Sequence, residues 1–268
     1  MIQLRSPSTV LTALAVMGAL AAGPVRAEEA APRPLEVLRG EIDRVDQDLL
    51  RLLNERAGIV AEVGRGKTSA NAAVFRPGRQ AALIRKLSAP AGLQSPATLA
   101  RVWTAIIAGS ILQQKRDFTV AVGDAGDLGI ALLAQDYFGA QPALVRLASA
   151  DDAISAVAAG RADVAVIGLQ GTWWQRLPAG FHVVAAAPFL TADPSVPPQA
   201  LIVARQPTDP SGDDRALVLL PANAPLPTGG RVLTEAGSTR LAALPPGTAP
   251  VGVSIGLYAS PLDARRAP

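Results

Sequence analysis

The chain has 268 residues, enough for one large domain or two ordinary ones, and its 25 Lys and Arg against 22 Asp and Glu give a net charge of +3. With 49% hydrophobic and 18% charged residues it is not a disordered chain, and no fixed period marks a repeat fold. Cysteine is absent and His182 is the single histidine, which excludes a disulfide scaffold, thiol chemistry and a Cys/His zinc site. A mild global charge and 4% aromatic content give no reason to expect nucleic acid as a partner.

The N-terminus reads as a targeting segment. Arg5 precedes an uncharged apolar run from Thr9 to Ala22, and Val25-Arg26-Ala27 places small residues at −3 and −1. Residues 1–27 are therefore expected to be a signal peptide cleaved after Ala27, making the protein periplasmic or secreted. A cytoplasmic protein with a mis-assigned start is the alternative. The run falls short of the roughly 20 residues a bilayer requires, so no stable membrane span is expected.

Proline usage divides the rest. Leu35 to Arg116 holds three prolines, and Ala185 to Pro268 holds fourteen. Residues 34–116 are read as an all-helical domain and 117–260 as an α/β domain. In the first, Leu38, Ile42, Val45, Leu49, Leu52, Arg56, Ile59 and Val63 alternate at spacings of four and three, a heptad seam. The spacing predicts a helix over 35–65, about 45 Å long, which calls for a partner of equal length, most simply its own copy. Gly58 and Gly64 weaken its late turns slightly. Pro77 opens a second helix to Leu87, and Ser95-Pro96 caps a third that runs to Gln114.

Polar residues on apolar seams are the informative feature. Arg56 occupies a core position, and Ser110 and Gln114 continue the stripe of the third helix. A buried guanidinium needs an anion. Between Val63 and Arg116 there are nine Lys or Arg and no acid, and Glu55 and Glu62 are expected to point elsewhere. Lys67 follows Arg56 by about three turns, nearly in phase. Arg39 lies about 100° out of phase and roughly 25 Å away, within reach only of a partner's site in an antiparallel pair. Such a pocket suits a dianionic small molecule whose reaction needs restriction and electrostatic stabilisation, with neither nucleophile nor metal.

The motif order resembles the all-α class of chorismate mutases. It comprises Leu38-Arg39, Ile42-Asp43 with Asp46, Leu52-Leu53-Asn54-Glu55-Arg56, Val63-Gly64-Arg65-Gly66-Lys67, Arg76-Pro77-Gly78-Arg79-Gln80 and Ile106 to Gln114. The resemblance implies an intertwined helical homodimer, an isomerase that rearranges chorismate to prephenate in aromatic amino acid biosynthesis, and no cofactor. It implies that Arg56 and the partner's Arg39 bind the two carboxylates. Lys67 and Gln114 would donate to the ether oxygen, Ser110 and Arg79 would hold the ring carboxylate, and Gln80 would meet the ring hydroxyl. The family usually has Glu at the position of Gln80 and often Asp at that of Arg76, which bears on turnover more than on binding. An isochorismate pyruvate-lyase on the same scaffold and a non-enzymatic small-molecule sensor are the alternative functions.

In the second half, strands are expected at 118–122, 143–147, 163–168, 182–187, 200–204, 215–220 and 251–258, with helices at 128–138 and 151–159. The stretch Gly160 to Ile167 resembles prephenate dehydratases, which share this lobe with periplasmic binding proteins. Gln199-Ala200-Leu201 stands where their Thr-Arg-Phe motif would align, so this half is read as a degenerate relative without dehydratase activity. Asp214 to Asp263 is read as an eroded amino-acid-sensing domain. Trp173-Trp174 is expected to be a hydrophobic anchor on the domain surface, and His182 a satisfied core histidine. The Gly123, Gly126, Gly129 spacing offers backbone N–H groups to an anion, a weak signal.

Overall fold

The computed structural model describes residues 33–66, 73–89, 92–124, 126–248 and 252–265. The expected signal segment and Lys67 lie outside these residues. The heptad seam folds as one helix, α1 (Leu35–Gly66), none of whose residues is buried. The chain forms two compact units that divide between Arg51 and Leu52, inside α1. In the first unit Arg39 pairs with Glu36 at 2.8 Å and Arg44 with Asp48 at 3.3 Å, both exposed pairs one helical turn apart.

The second unit begins with the remainder of α1 and continues with α2 (Pro77–Ser88) and α3 (Pro96–Gln114). Proline at the first position of each costs no hydrogen bond, because that N–H has no partner within a helix. Ser95 caps α3 by accepting from the Thr98 N–H at 3.1 Å. The chain then alternates through β1 (Thr119–Gly123), α4 (Leu128–Phe138), β2 (Ala143–Leu147), α5 (Ala150–Ala158) and β3 (Val164–Gly168). Asp127 caps α4 and Ser149 caps α5. A single 3-10 turn (Trp173–Arg176) leads to β4 (His182–Ala187), β5 (Leu190–Thr191) and β6 (Ala200–Ala204). The remainder is all strand: β7 (Asp214–Pro221), β8 (Arg231–Ala236), β9 (Thr239–Leu244), β10 (Val253–Ala259) and β11 (Leu262–Asp263).

Nine strands make one mixed sheet in the order β2-β1-β3-β6-β4-β10-β7-β9-β8, and β5 pairs with β11 separately. β1, β2 and β3 are parallel, and β6 enters antiparallel to β3. Alternate residues of β1 serve opposite faces. Val120 and Val122 join a core with Ile130, Ala134 and Phe138 of α4, whereas Ala121 joins one with Ala153, Ile154 and Val157 of α5. This two-sided burial explains why β1, β3 and β6 read as continuous apolar runs.

β8 and β9, absent from the sequence reading, form a hairpin with Ala236 opposite Thr239. Gly237 takes φ of 61° in its two-residue turn, the left-handed region such turns demand. The tryptophans are a correction. Trp173 and Trp174 are 2% and 0% exposed, and their indole N–H groups donate to the carbonyls of Gly168 and Gly171 at 2.9 and 3.0 Å. Their polar edges are satisfied locally, so the rings pack in the core instead of anchoring a surface. His182 is only half-buried, at the start of β4. In the glycine spacing, the Gly126 and Gly129 N–H groups donate to Asp124 and Asp127 at 2.9 and 2.8 Å and so are not free for an anion.

Within this unit α2 is fastened to the sheet. Gly78 donates its N–H to Thr208 Oγ1 at 3.1 Å, Arg76 Nε donates to Asp209 at 2.6 Å, and Arg85 donates to Ser211 Oγ at 2.9 Å and the Asp213 carbonyl at 3.1 Å. A Cβ at Gly78 would sit 1.8 Å from the Asp209 carbonyl oxygen, so only glycine allows this approach. Phe75, just ahead of α2, packs against Phe118, Tyr137 and Phe138, its ring 5.0 Å from that of Phe138. Lys115 pairs with Asp163, which also accepts the Thr119 N–H at 2.9 Å. Among the described residues no helix is long and apolar enough to cross a membrane.

Candidate active site

The late turns of α1, the start of α2 and the end of α3 enclose a cavity of about 520 Å³. Its walls are apolar, including Val60, Val63, Leu83 and Ile107, and its polar groups are few: Arg56, Arg76, Arg79, Gln80, Ser110 and Gln114 with Glu55. That is the composition of a small-molecule pocket, an apolar shell with a small set of placed polar groups. Five of the residues singled out from the sequence meet here: Arg56, Arg79, Gln80, Ser110 and Gln114.

Arg56 reaches the cavity because it holds the helical phase that its apolar seam neighbours hold elsewhere on α1. Its Nη1 donates to Ser110 Oγ at 2.6 Å, and that hydroxyl donates to the Ile106 carbonyl at 2.8 Å. Gln114 Nε2 donates to the Ser110 carbonyl at 3.0 Å. The amide's second hydrogen goes to no described residue, and its buried Oε1 has no hydrogen-bond partner among the described residues. α3 is held to α1 by Gln113 Nε2 donating to the Ala57 carbonyl at 2.8 Å. A Cβ at Gly64 would stand 3.4 Å from Gln114 Cγ, an ordinary van der Waals contact.

The electrostatics of the cavity favour an anion. Burial, and then the Arg79 guanidinium nearby, pull the Arg56 pKa below its ordinary value. Arg79 is exposed and forms no hydrogen bond or ion pair with a described residue. Two guanidiniums that repel across a cavity are relieved by a bound carboxylate. Arg76 is different: its hydrogen bond to Asp209 raises its pKa, and the same bond depresses that of Asp209. It holds α2 in place more than it waits for a ligand.

Three expectations need qualification. Glu55 was expected to face away, yet it lines the cavity, because the pocket covers a wider arc of α1 than the seam alone. Arg39 belongs to the first compact unit, where its guanidinium meets Glu36. Lys67 falls just past the last described residue of α1. Among the described residues no group of His, Asp or Glu is arranged to hold a metal ion.

The comparisons agree with the helical half. Residues 38–115 match the family "Chorismate mutase type II". The chain is 27% identical over 143 residues to "Bifunctional chorismate mutase/prephenate dehydratase" of Aquifex aeolicus (strain VF5), a match over 52% of this chain. It spans 39% of that relative's length. Among solved structures it is similar to "GqqA- a novel type of quorum quenching acylases", at 14% identity with a TM-score of 0.34 over 56% of this chain and 98% of that one, too distant to bear on fold or chemistry. Residues 38–115, with the arginine-lined cavity among their three helices, are therefore the part of the chain that matches the chorismate mutase type II family.

Proposed function

We propose that the helical cavity rearranges chorismate to prephenate, a step of aromatic amino acid biosynthesis. The observation that carries this reading is the pairing of Arg56 and Arg79 across a mostly apolar cavity, with Ser110 and Gln114 beside them. The reaction is unimolecular. The ether C–O bond breaks as a C–C bond forms within one molecule, so no group has to be supplied or removed. The protein has only to hold a compact conformer of the dianion and stabilise charge as it grows on the ether oxygen. Arg56 takes one carboxylate, and Arg79 with Ser110 the ring carboxylate. Gln114 and Lys67 donate to the ether oxygen, and Gln80 meets the ring hydroxyl.

The active unit in this proposal is an antiparallel homodimer. Ile42, Val45, Leu49, Leu52, Ile59 and Val63 are all exposed on α1 in the single chain. They are 45–59% exposed, so covering each would contribute about half of the roughly 1.5–3 kcal/mol of full burial, and a second copy along the seam sums these gains. The same pairing brings the partner's Arg39 to the cavity. In the proposal residues 34–116 are the mutase and 117–260 a dehydratase-like, periplasmic-binding-type domain without dehydratase activity. Residues 1–27 direct export to the periplasm.

A mixing experiment tests both parts. Arg39→Ala and Lys67→Ala chains should each be inactive on chorismate, yet an equimolar mixture after subunit exchange should regain about a quarter of wild-type turnover, because half the symmetric pairs are mixed and each has one intact site. No recovery after verified exchange contradicts the shared site. An inactive wild-type chain contradicts the function itself.

The pH profile is a second expectation. An amide donates at any pH, so turnover should be flat between about pH 5 and 9. At the acid end Asp209 matters. Its folded pKa is depressed by Arg76, so the bond that holds α2 is fully present above the ordinary carboxylate value of about 3.9 and is lost as pH falls through the depressed one. Turnover should fall there. Gln114→Glu should instead lose turnover progressively as pH rises through the carboxyl's pKa, since only the protonated acid donates. A wild-type profile that collapses above pH 6 removes Gln114 from the mechanism.

A further inference from the structure

The sheet carries a second cavity that the mutase reading does not use. It is about 230 Å³ and lies between the proline-rich connection 188–199 and one face of β7–β10. The register fixes which side chains share that face. Tyr258 on β10 stands opposite Arg215 on β7, and Ala243 on β9 stands opposite both Leu217 on β7 and Arg231 on β8. Directly opposed residues project from the same side of a sheet, and so do residues two apart on a strand. Tyr258, Arg215, Ala243 and Arg231 therefore project together, with the small Ala243 as floor between two long cations.

The charges here are only partly offset: Asp213 lines the cavity, and the Asp193 carboxylate, whose pKa is held down first by Ser195, is also stabilised by Arg265 and Arg231. Arg215 donates to the Gly229 carbonyl at 3.3 Å, and neither Arg215 nor Arg231 forms an ion pair with a described residue. Both acids also have hydrogen-bond partners of their own. Asp213 accepts the Ser260 hydroxyl at 2.7 Å, and Asp193 accepts both the N–H and the hydroxyl of Ser195 at 2.9 and 2.6 Å. The Tyr258 hydroxyl makes no hydrogen bond to a described residue. Burial raises its pKa while Arg215 and Arg231 pull the other way, which places both guanidiniums close to it. The opposite wall is apolar, with Pro188, Val196, Pro197 and Pro198, and proline offers no backbone donor. The cavity is smaller than most ligand pockets, so its occupant is small.

We infer that this cavity is a binding site for a small organic carboxylate, whose acid group meets Arg215, Arg231 and the Tyr258 hydroxyl while its apolar body lies against the proline wall. The site is separate from the helical cavity and does not depend on what that cavity does.

Calorimetric titration of the full chain with 3-phenylpropanoate, beside its neutral amide, tests this. The carboxylate should bind, and the amide about tenfold or more weakly, because hydrogen bonds from a guanidinium to a carboxylate are stronger than those to a neutral carbonyl. Arg231→Gln should weaken the carboxylate by a similar factor while the amide is unaffected, and Arg56→Gln should leave binding unchanged. Arg231 makes no hydrogen bond to a described residue, and the comparison of the two probes on the wild-type chain needs no variant at all. Equal binding of acid and amide, wild-type affinity in Arg231→Gln, or a loss confined to Arg56→Gln would each overturn the assignment.

Discussion

Arg56→Ala should lower kcat/KM for chorismate by a factor of about a hundred to a thousand, roughly 3–4 kcal/mol of transition-state stabilisation. The loss should be chemical. α1 has no buried residues, alanine is the best helix former, and the Gln113 to Ala57 bond that ties α3 to α1 does not involve Arg56. Thermal midpoints of variant and wild type should therefore agree within a few degrees. Arg56→Lys should recover only part of the activity, since a point charge cannot address Ser110 and a carboxylate together as the guanidinium fork does. Near-normal turnover in Arg56→Ala would remove this residue from the site.

Gly78→Val should have the largest effect on stability. Its Cβ would stand 1.8 Å from the Asp209 carbonyl oxygen and 2.7 Å from its carbon, backbone atoms that no rotamer change can clear. The first turn of α2 must then leave the connection between β6 and β7, breaking the hydrogen bonds of Gly78 to Thr208 and of Arg76 to Asp209. A cost of about 3 kcal/mol or more is expected, at or above the upper end of ordinary overpacking. For a body of this size that is a fall of about 6–12 °C in Tm. Turnover should fall with it, because the same turn carries Arg79 and Gln80. Gly58→Ala is the contrasting case. Nothing lies within 4 Å of a Cβ there, and relief of glycine's helix penalty should stabilise α1 by about 1 kcal/mol. A melting curve unchanged by Gly78→Val would show that α2 is not held by this approach.

The helices were legible because their signals are local. The heptad spacing marks α1, Pro77 opens α2, Ser95-Pro96 opens α3, and Asp127 caps α4. The strands β1, β3 and β6 announce themselves as apolar runs because both faces are covered. β8 and β9 escaped notice because Arg231, Glu235 and Arg240 interrupt them, although Gly237-Ser238 between alternating residues is a hairpin signal. Trp173 and Trp174 show what composition alone cannot place, since the acceptors for their N–H groups come from backbone turns that exist only in the fold. The tie between Arg76 and Asp209 joins residues far apart in sequence, with no pattern in either stretch to announce it. Within the site, Arg56, Ser110 and Gln114 were readable because polar residues on an apolar stripe stand out. Glu55 was not, because one helical position from the seam is enough to enter a cavity this wide.

The most direct test of the account is product identification. The purified chain is incubated with chorismate and the mixture followed by proton NMR. Saturable conversion to prephenate, faster than the uncatalysed rearrangement and lost in Arg56→Ala, is the result the arginine-lined cavity predicts. Chorismate that disappears no faster than in buffer, or that yields pyruvate, would contradict it.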